Sequence, residues 1–168
     1  MKRFPRVLTL FALLLGLAAS GPRAMSQGAP EQALQNAGNL LDAGNTRGAA
    51  EAFEQLLKDF PTSTVVSVAQ YQLAFTRYVL GEHDKALEMI AKASVPPAPP
   101  EVIERSLALK PKVLAAKAGA LEPGDAKRKA AFEEAIKEYD AFLAKYPSSD
   151  EVEGVRYGKA LAQFQIES

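Results

Sequence analysis

Two stretches of this chain, 86 residues apart, lie on one another without a gap, and this internal repeat limits the possible folds more than any other feature. Residues 49–82 (AAEAFEQLLKDFPTSTVVSVAQYQLAFTRYVLGE) align to 135–168 (AIKEYDAFLAKYPSSDEVEGVRYGKALAQFQIES) with seven identities in 34 positions. Where identity fails, character is kept. Phe53, Phe60 and Tyr78 fall opposite Tyr139, Tyr146 and Phe164, and Leu80 falls opposite Ile166. A second echo runs at a spacing of 37: Gly44 and Gly81 each end a helical pattern, and Ala49 and Ala86 follow five residues later. Self-similarity of this kind marks units that cannot bury their apolar faces alone and close a core by stacking.

The units are helical. Alanine, leucine, lysine and glutamate dominate, all good helix formers, and no segment alternates with the period of a half-buried strand. Breakers divide the pattern into about seven helices. The first spans about 31–43 and is closed by Gly44-Asn45. The second spans about 47–59, capped by Asn45 or Thr46 and ended by Pro61. The third runs from Thr62-Ser63 to Gly81, and the fourth spans about 83–93. Four prolines within 94–100 predict an extended polyproline segment. A helical stretch over about 101–121 should be kinked or divided by Pro111. Glu122-Pro123-Gly124-Asp125 forms a turn before helix 126–145. Pro147 and the capping serines Ser148 and Ser149 precede a last helix from about 150. The expected fold is all-α, built of antiparallel helix pairs, with an irregular Pro-rich insertion over about 94–125.

The N-terminus reads differently. Lys2, Arg3 and Arg6 precede an uncharged apolar run, Val7 to Ala19, and small residues follow with possible cleavage triplets at Ala18-Ala19-Ser20 and Ala24-Met25-Ser26. This is the layout of a secretory signal peptide over residues 1–26. The run is shorter than the roughly 20 residues that span a bilayer; the alternative is an uncleaved anchor. The expected location is periplasmic or extracellular. The sequence has no cysteine, so it offers no site for lipoprotein acylation, no disulfide framework and no thiolate ligand.

The whole chain carries 20 basic and 20 acidic residues. Residues 1–26 hold four of the basic ones (Lys2, Arg3, Arg6, Arg23) and no acid, so the remainder has 16 against 20, a net charge of −4. That balance argues against nucleic-acid binding, which needs a basic face. Lys127, Arg128 and Lys129 read as a solvated helix surface paired with Glu133, Glu134 and Glu138.

With these residues in hand, the chain resembles the tetratricopeptide-repeat (TPR) family. The signature is a small and a bulky residue on helix A, glycine at the turn, then alanine, an aromatic and proline on helix B. Ala37, Leu40, Gly44, Ala49, Phe53 and Pro61 fit it in the first unit. Ala74, Gly81, Ala86 and Ile90 fit it in the second, Ala135, Tyr139 and Pro147 in the third, and Ala160 begins a fourth that is incomplete. The endings LLKDFPTS and FLAKYPSS are similar to those of exported bacterial envelope TPR proteins, such as the outer-membrane assembly lipoprotein and the Tol-associated cell-division coordinator. The resemblance implies a short right-handed superhelix over 27–168 that binds other proteins or peptides, without catalysis or cofactor. The alternative is a docking or regulatory segment of a longer enzyme or secretion component.

Catalytic chemistry has little to stand on. His83 is the only histidine and lies in a turn. Neither Glu133-Glu134-Glu138 nor Asp150-Glu151-Glu153 has the loop spacing of a calcium site, and both read as surface charge; no metal is expected. The functional candidates are aromatic. Tyr71, Phe75 and Tyr78 share one helical face at i, i+4 and i+7, and Tyr157, Leu161 and Phe164 repeat the arrangement. In TPRs such helix A positions tend to face the concave groove, which makes these six residues the candidate partner-binding surface. Ordinary core packing is the competing explanation. Tyr157, Ala160, Leu161 and Phe164 should also lack a covering helix, leaving an end open to further repeats or self-association.

Overall fold

The structure, a computed structural model, describes residues 28–167. The segment 1–26, which the sequence suggests is a signal peptide, lies outside them. Seven helices follow one another, and no strand occurs among the described residues: α1 (Ala29–Asp42), α2 (Thr46–Asp59), α3 (Val66–Val79), α4 (His83–Ala93), α5 (Pro100–Gly119), α6 (Ala126–Lys145) and α7 (Val152–Glu167). None of these helices is long and apolar enough to cross a membrane. The all-α architecture of about seven paired helices expected from the sequence is the one found.

The repeat is visible atom by atom. Gly44 and Gly81 take φ of 78° and 76°. The N–H of the residue after each glycine reaches back: Asn45 donates to the Leu40 carbonyl and Glu82 to the Arg77 carbonyl, both at 2.9 Å. This left-handed closure satisfies helix-end carbonyls and turns the chain for the next helix. The 86-residue repeat is equally literal. The residues that end α2 and α6, Phe60 and Tyr146, have φ/ψ of −130°/55° and −128°/60°. Three residues on, the Ser63 hydroxyl accepts from the Val65 N–H and the Ser149 hydroxyl from the Glu151 N–H. Ser63 and Ser149, rather than the residues before them, hold these turns.

A Cβ at position 44 or 81 would meet nothing within 4 Å, so the demand for glycine there is one of backbone conformation alone. Gly44→Ala and Gly81→Ala should each lower stability by about 1–2 kcal/mol. Gly38, inside α1 and equally free of neighbours, should do the opposite, with Gly38→Ala gaining about 0.5–1 kcal/mol from helix propensity. Urea unfolding of the three variants checks the contrast.

Consecutive helices pack together, and α1 also touches α3, α3 touches α5, and α5 touches α7. No such contact joins α2 to α4 or α4 to α6. The odd helices therefore form a continuous inner layer, while the even ones are spread along the outside. Two cores result. Ala37, Ala49, Phe53, Leu56, Ala69, Leu73, Ala74, Ala86 and Ile90 fill the first, which reaches Leu109 and Val113 of α5. Ala108, Ala118, Phe132, Tyr139, Phe142, Val155 and Ala162 fill the second. Alanines at the crossings let the helix backbones approach, and the aromatics fill the space beside them.

The stretch 94–125 is more regular than its prolines suggest. Residues 94–99 are a run of turns rather than an extended segment, and the Ala98 N–H donates to the Val95 carbonyl at 3.1 Å. Ala98 is buried with Ala93 and Val102 against Val68, Tyr71 and Ile103; that apolar contact folds the segment back onto α3. Pro100 opens α5, where its missing N–H has no helical partner to lose. Pro111 does not divide α5, which runs unbroken from Pro100 to Gly119. Its ring is fully buried, and α5 packs against α3, α4, α6 and α7. That surrounding packing outweighs the loss of one hydrogen bond and the crowding of the preceding turn.

Candidate groove on the inner helix layer

A cavity of about 590 Å3 opens between α5 and α7, with α6 as its floor and Tyr78 of α3 at one side. Its apolar walls come from Ala115 and Ala116 of α5, Phe132 of α6, and Leu161 and Ala162 of α7. Its size falls in the range of pockets that enclose a ligand of a few side chains.

Tyr139 shapes one end. Its ring is 2% exposed, yet it borders the cavity. It reaches that position because α7 carries glycine at 158: a Cβ there would stand 2.5 Å from the Tyr139 Oη and 2.8 Å from Cζ. No hydrogen bond to the Tyr139 hydroxyl occurs among the described residues. Burial pushes its pKa up to about 12, with the nearby Tyr78 adding a smaller push in the same direction. The folded state thus holds this proton more tightly than the unfolded chain, whose phenol titrates near 10.0. Tyr139 should leave stability unchanged below pH about 10 and drain it as pH rises from there toward about 12. Denaturation midpoints across that window should fall for the wild type and fall less for Tyr139→Phe.

Arg128 marks the other end. It sits 11 residues before Tyr139 on nearly the same face of α6, about 16 Å away along the axis. Lys127 and Lys129 beside it are exposed, but Arg128 is not the solvated, acid-paired residue the sequence suggested. Its guanidinium lies 5.1 Å over the Phe132 ring, and its Nη2 donates to Gln165 Oε1 at 2.6 Å. Phe132 follows at i+4, so the arginine stem lies along the aromatic rather than beside the glutamates. Glu133 and Glu134 are exposed, and Glu138 pairs instead with Lys110 at 2.7 Å. Glu151 pairs with Lys112 at 3.0 Å, tying α5 to the start of α7.

The six aromatic and aliphatic candidates divide. Tyr78, Tyr157 and Leu161 border the cavity. Tyr71 does not; it is half-buried and packs against the first core and the Ala98 cluster. Burial raises its hydroxyl pKa, as does the charge of Glu151, against a smaller lowering by Arg105. Phe75 is partly exposed and meets Tyr78 with the rings tilted at 53° and centroids 6.4 Å apart. Phe164 lies outside the cavity lining on the open side of α7, 63% exposed, and Tyr157 is 68% exposed. The second set is more open than the first because α3 is flanked by α1, α2, α4 and α5, whereas among the described residues α7 packs only on α5 and α6. Tyr139, Arg128 and Gly158 were not singled out as site residues. The i, i+4 pairs Arg128-Phe132 and Gly154-Gly158 were the available signals. His83 sits at the start of α4, and the described residues contain no cluster of three or more histidine or acidic side chains suited to a metal.

Stacked helix pairs with an inner layer that presents a groove define a helical-repeat scaffold, a type of fold that typically binds rather than catalyses. Residues 32–63 match the tetratricopeptide-repeat family. The matched stretch covers most of α1, all of α2 and the turn beyond it, and contains Ala37, Leu40, Gly44, Ala49, Phe53 and Pro61. Proteins built on such repeats generally bind other proteins or peptides. No curated protein matches the chain.

Proposed function

We propose that this chain is an exported, periplasm-facing adaptor that holds a partner protein by a peptide segment, in the assembly or maintenance of the cell envelope. The observation that carries the binding part is the α5–α7 cavity with Tyr78, Tyr157 and Leu161 at its edge. Exposed aromatics beside a concave apolar wall suit an extended or helical peptide. Export rests on the charged start and the 13-residue apolar run Val7–Ala19, and the envelope role on the likeness of LLKDFPTS and FLAKYPSS to exported TPR proteins.

Crosslinking the chain in intact cells, followed by identification of the captured proteins, tests the whole reading. The wild type should capture an envelope protein, and Leu161→Arg, which places a charge on the cavity wall, should release it while the melting temperature stays within a few degrees. Capture that survives Leu161→Arg unchanged moves the binding surface elsewhere. N-terminal sequencing of the cell-fractionated protein should find a start near Met25 or Gln27; an intact Met1 would replace cleavage with an anchor.

A further inference from the structure

We propose that the α5–α7 groove selects an acidic peptide, seating an aspartate or glutamate side chain against Arg128 while the Tyr139 hydroxyl donates to a carbonyl of the same segment. The inference rests on the peptide-groove reading and adds the chemistry of the occupant. Three observations carry it.

First, among the described residues the groove lining has two cations, Lys112 and Arg128, and no acid, although the chain beyond residue 26 carries a net charge of −4. A cationic, acid-free recess on an acidic protein attracts anions and repels little. Second, the two cations are not equivalent. Lys112 is neutralised by Glu151 at 3.0 Å, whereas Arg128 has no carboxylate partner among the described residues. Among the described residues its guanidinium makes one hydrogen bond, to the neutral amide of Gln165, and its Nε is buried without a partner. A guanidinium has five donors in a fixed fork suited to a carboxylate, so most of its capacity is unspent. Stacking on Phe132 holds the fork in place before any ligand arrives, which lowers the entropy lost on binding. Third, the Tyr139 hydroxyl is an unpartnered donor in a nearly fully buried side chain that borders the same cavity.

The separation of the two polar ends sets the length of the occupant. The backbone positions are about 16 Å apart along α6 and the guanidinium leans over Phe132 toward Tyr139, so the occupant spans at most about five residues of extended chain at roughly 3.3 Å each. Between the ends the wall is Ala115, Ala116, Phe132, Leu161 and Ala162, which asks for an apolar side chain in the middle of the peptide. The acid belongs toward the α6 N-terminal end, where Arg128 lies, and the apolar residue toward Leu161 and Phe132.

A displayed library of random seven-residue peptides, selected on the full chain and followed by anisotropy titration of the enriched sequences, tests this. The expected enrichment is one aspartate or glutamate a few residues from an apolar side chain. Replacing that acid by its amide in the peptide should weaken binding about ten- to hundredfold, the usual range for a hydrogen bond to a charged group. This arm leaves the protein untouched, so misfolding cannot mimic it. Arg128→Met should give the same loss and remove the salt dependence of affinity. Tyr139→Phe should cost about three- to tenfold without lowering the melting temperature. Enriched peptides that are lost on Leu161→Arg but show no preference for an acid overturn the inference and leave the groove reading standing. Peptides that ignore Leu161→Arg, or an absence of any selected peptide, overturn both.

Discussion

Phe53→Ala and Tyr139→Ala should both cost about 3–5 kcal/mol, the range for removing a buried aromatic ring, and the two losses should differ in kind. The residues are repeat partners, 86 positions apart, on the corresponding helices α2 and α6. Each is almost entirely buried, at 0% and 2% exposure. Phe53 is enclosed by Ala37, Ala49, Leu56, Ala69 and Leu73 in the first core, so its removal leaves a closed apolar hole that water does not fill. Tyr139 borders the open cavity, and water can enter the space its ring leaves. Phe53→Ala should therefore lie at the upper end of the range and Tyr139→Ala at the lower. The hydroxyl is separable from the ring. Since it lacks a partner among the described residues, Tyr139→Phe should be neutral or slightly stabilising at neutral pH. Urea unfolding of the three variants gives the comparison. Equal losses for Phe53→Ala and Tyr139→Ala would mean that the second core is as closed as the first.

That pair shows what was legible in the sequence. The helices follow from apolar periodicity and from glycine and proline as punctuation, because those signals act within a few residues. Gly44 and Gly81 announced their left-handed closures, and the alignment of Phe60 with Tyr146 announced two turns that agree to within a few degrees. The 94–100 prolines misled, and Pro111 does not divide α5, for one shared reason. Local preference there is overruled by burial: the Pro111 ring is enclosed, and Ala98 is pinned beneath α3. The groove was legible only in part. Helical spacing places Tyr71, Phe75 and Tyr78 on one face, but which of them meets the cavity depends on how α5 and α7 cross, which no single-helix pattern encodes. Arg128 sat in a basic run and looked solvated. Its environment comes from Phe132 on its own helix and Gln165 on another, and only the first of these lies at a spacing that could be read from sequence.

Replacing Gly158 should be the most disruptive change on α7 that removes no side chain. A Cβ at this position would stand 2.5 Å and 2.8 Å from the Oη and Cζ of Tyr139, distances that real side chains do not tolerate, and a tight 3.1 Å from Cε1. Relief requires either the Tyr139 ring or α7 itself to move. The ring is wedged in the second core with Phe132, Phe142, Val155 and Ala162, and a rigid aromatic has no flexible end to swing aside. A shift of α7 would strain its packing on α5 and α6. Gly158→Ala should cost about 1–3 kcal/mol from overpacking, even though alanine is the better helix former by about 1 kcal/mol. Gly154, one turn earlier on the same helix, supplies the control. Its nearest potential neighbour is the Lys112 Nζ at 3.8 Å, ordinary contact with the mobile end of a long side chain, so Gly154→Ala should stabilise. The double variant Gly158→Ala/Tyr139→Leu completes the argument, because a shorter side chain at 139 withdraws the atoms that the new Cβ would strike. If the steric account holds, Gly158→Ala should be far less damaging in the Tyr139→Leu background than in the wild type, a coupling of about 1 kcal/mol or more in a double-mutant cycle. Additive losses would mean that glycine is needed at 158 for some property of α7 other than the approach of Tyr139.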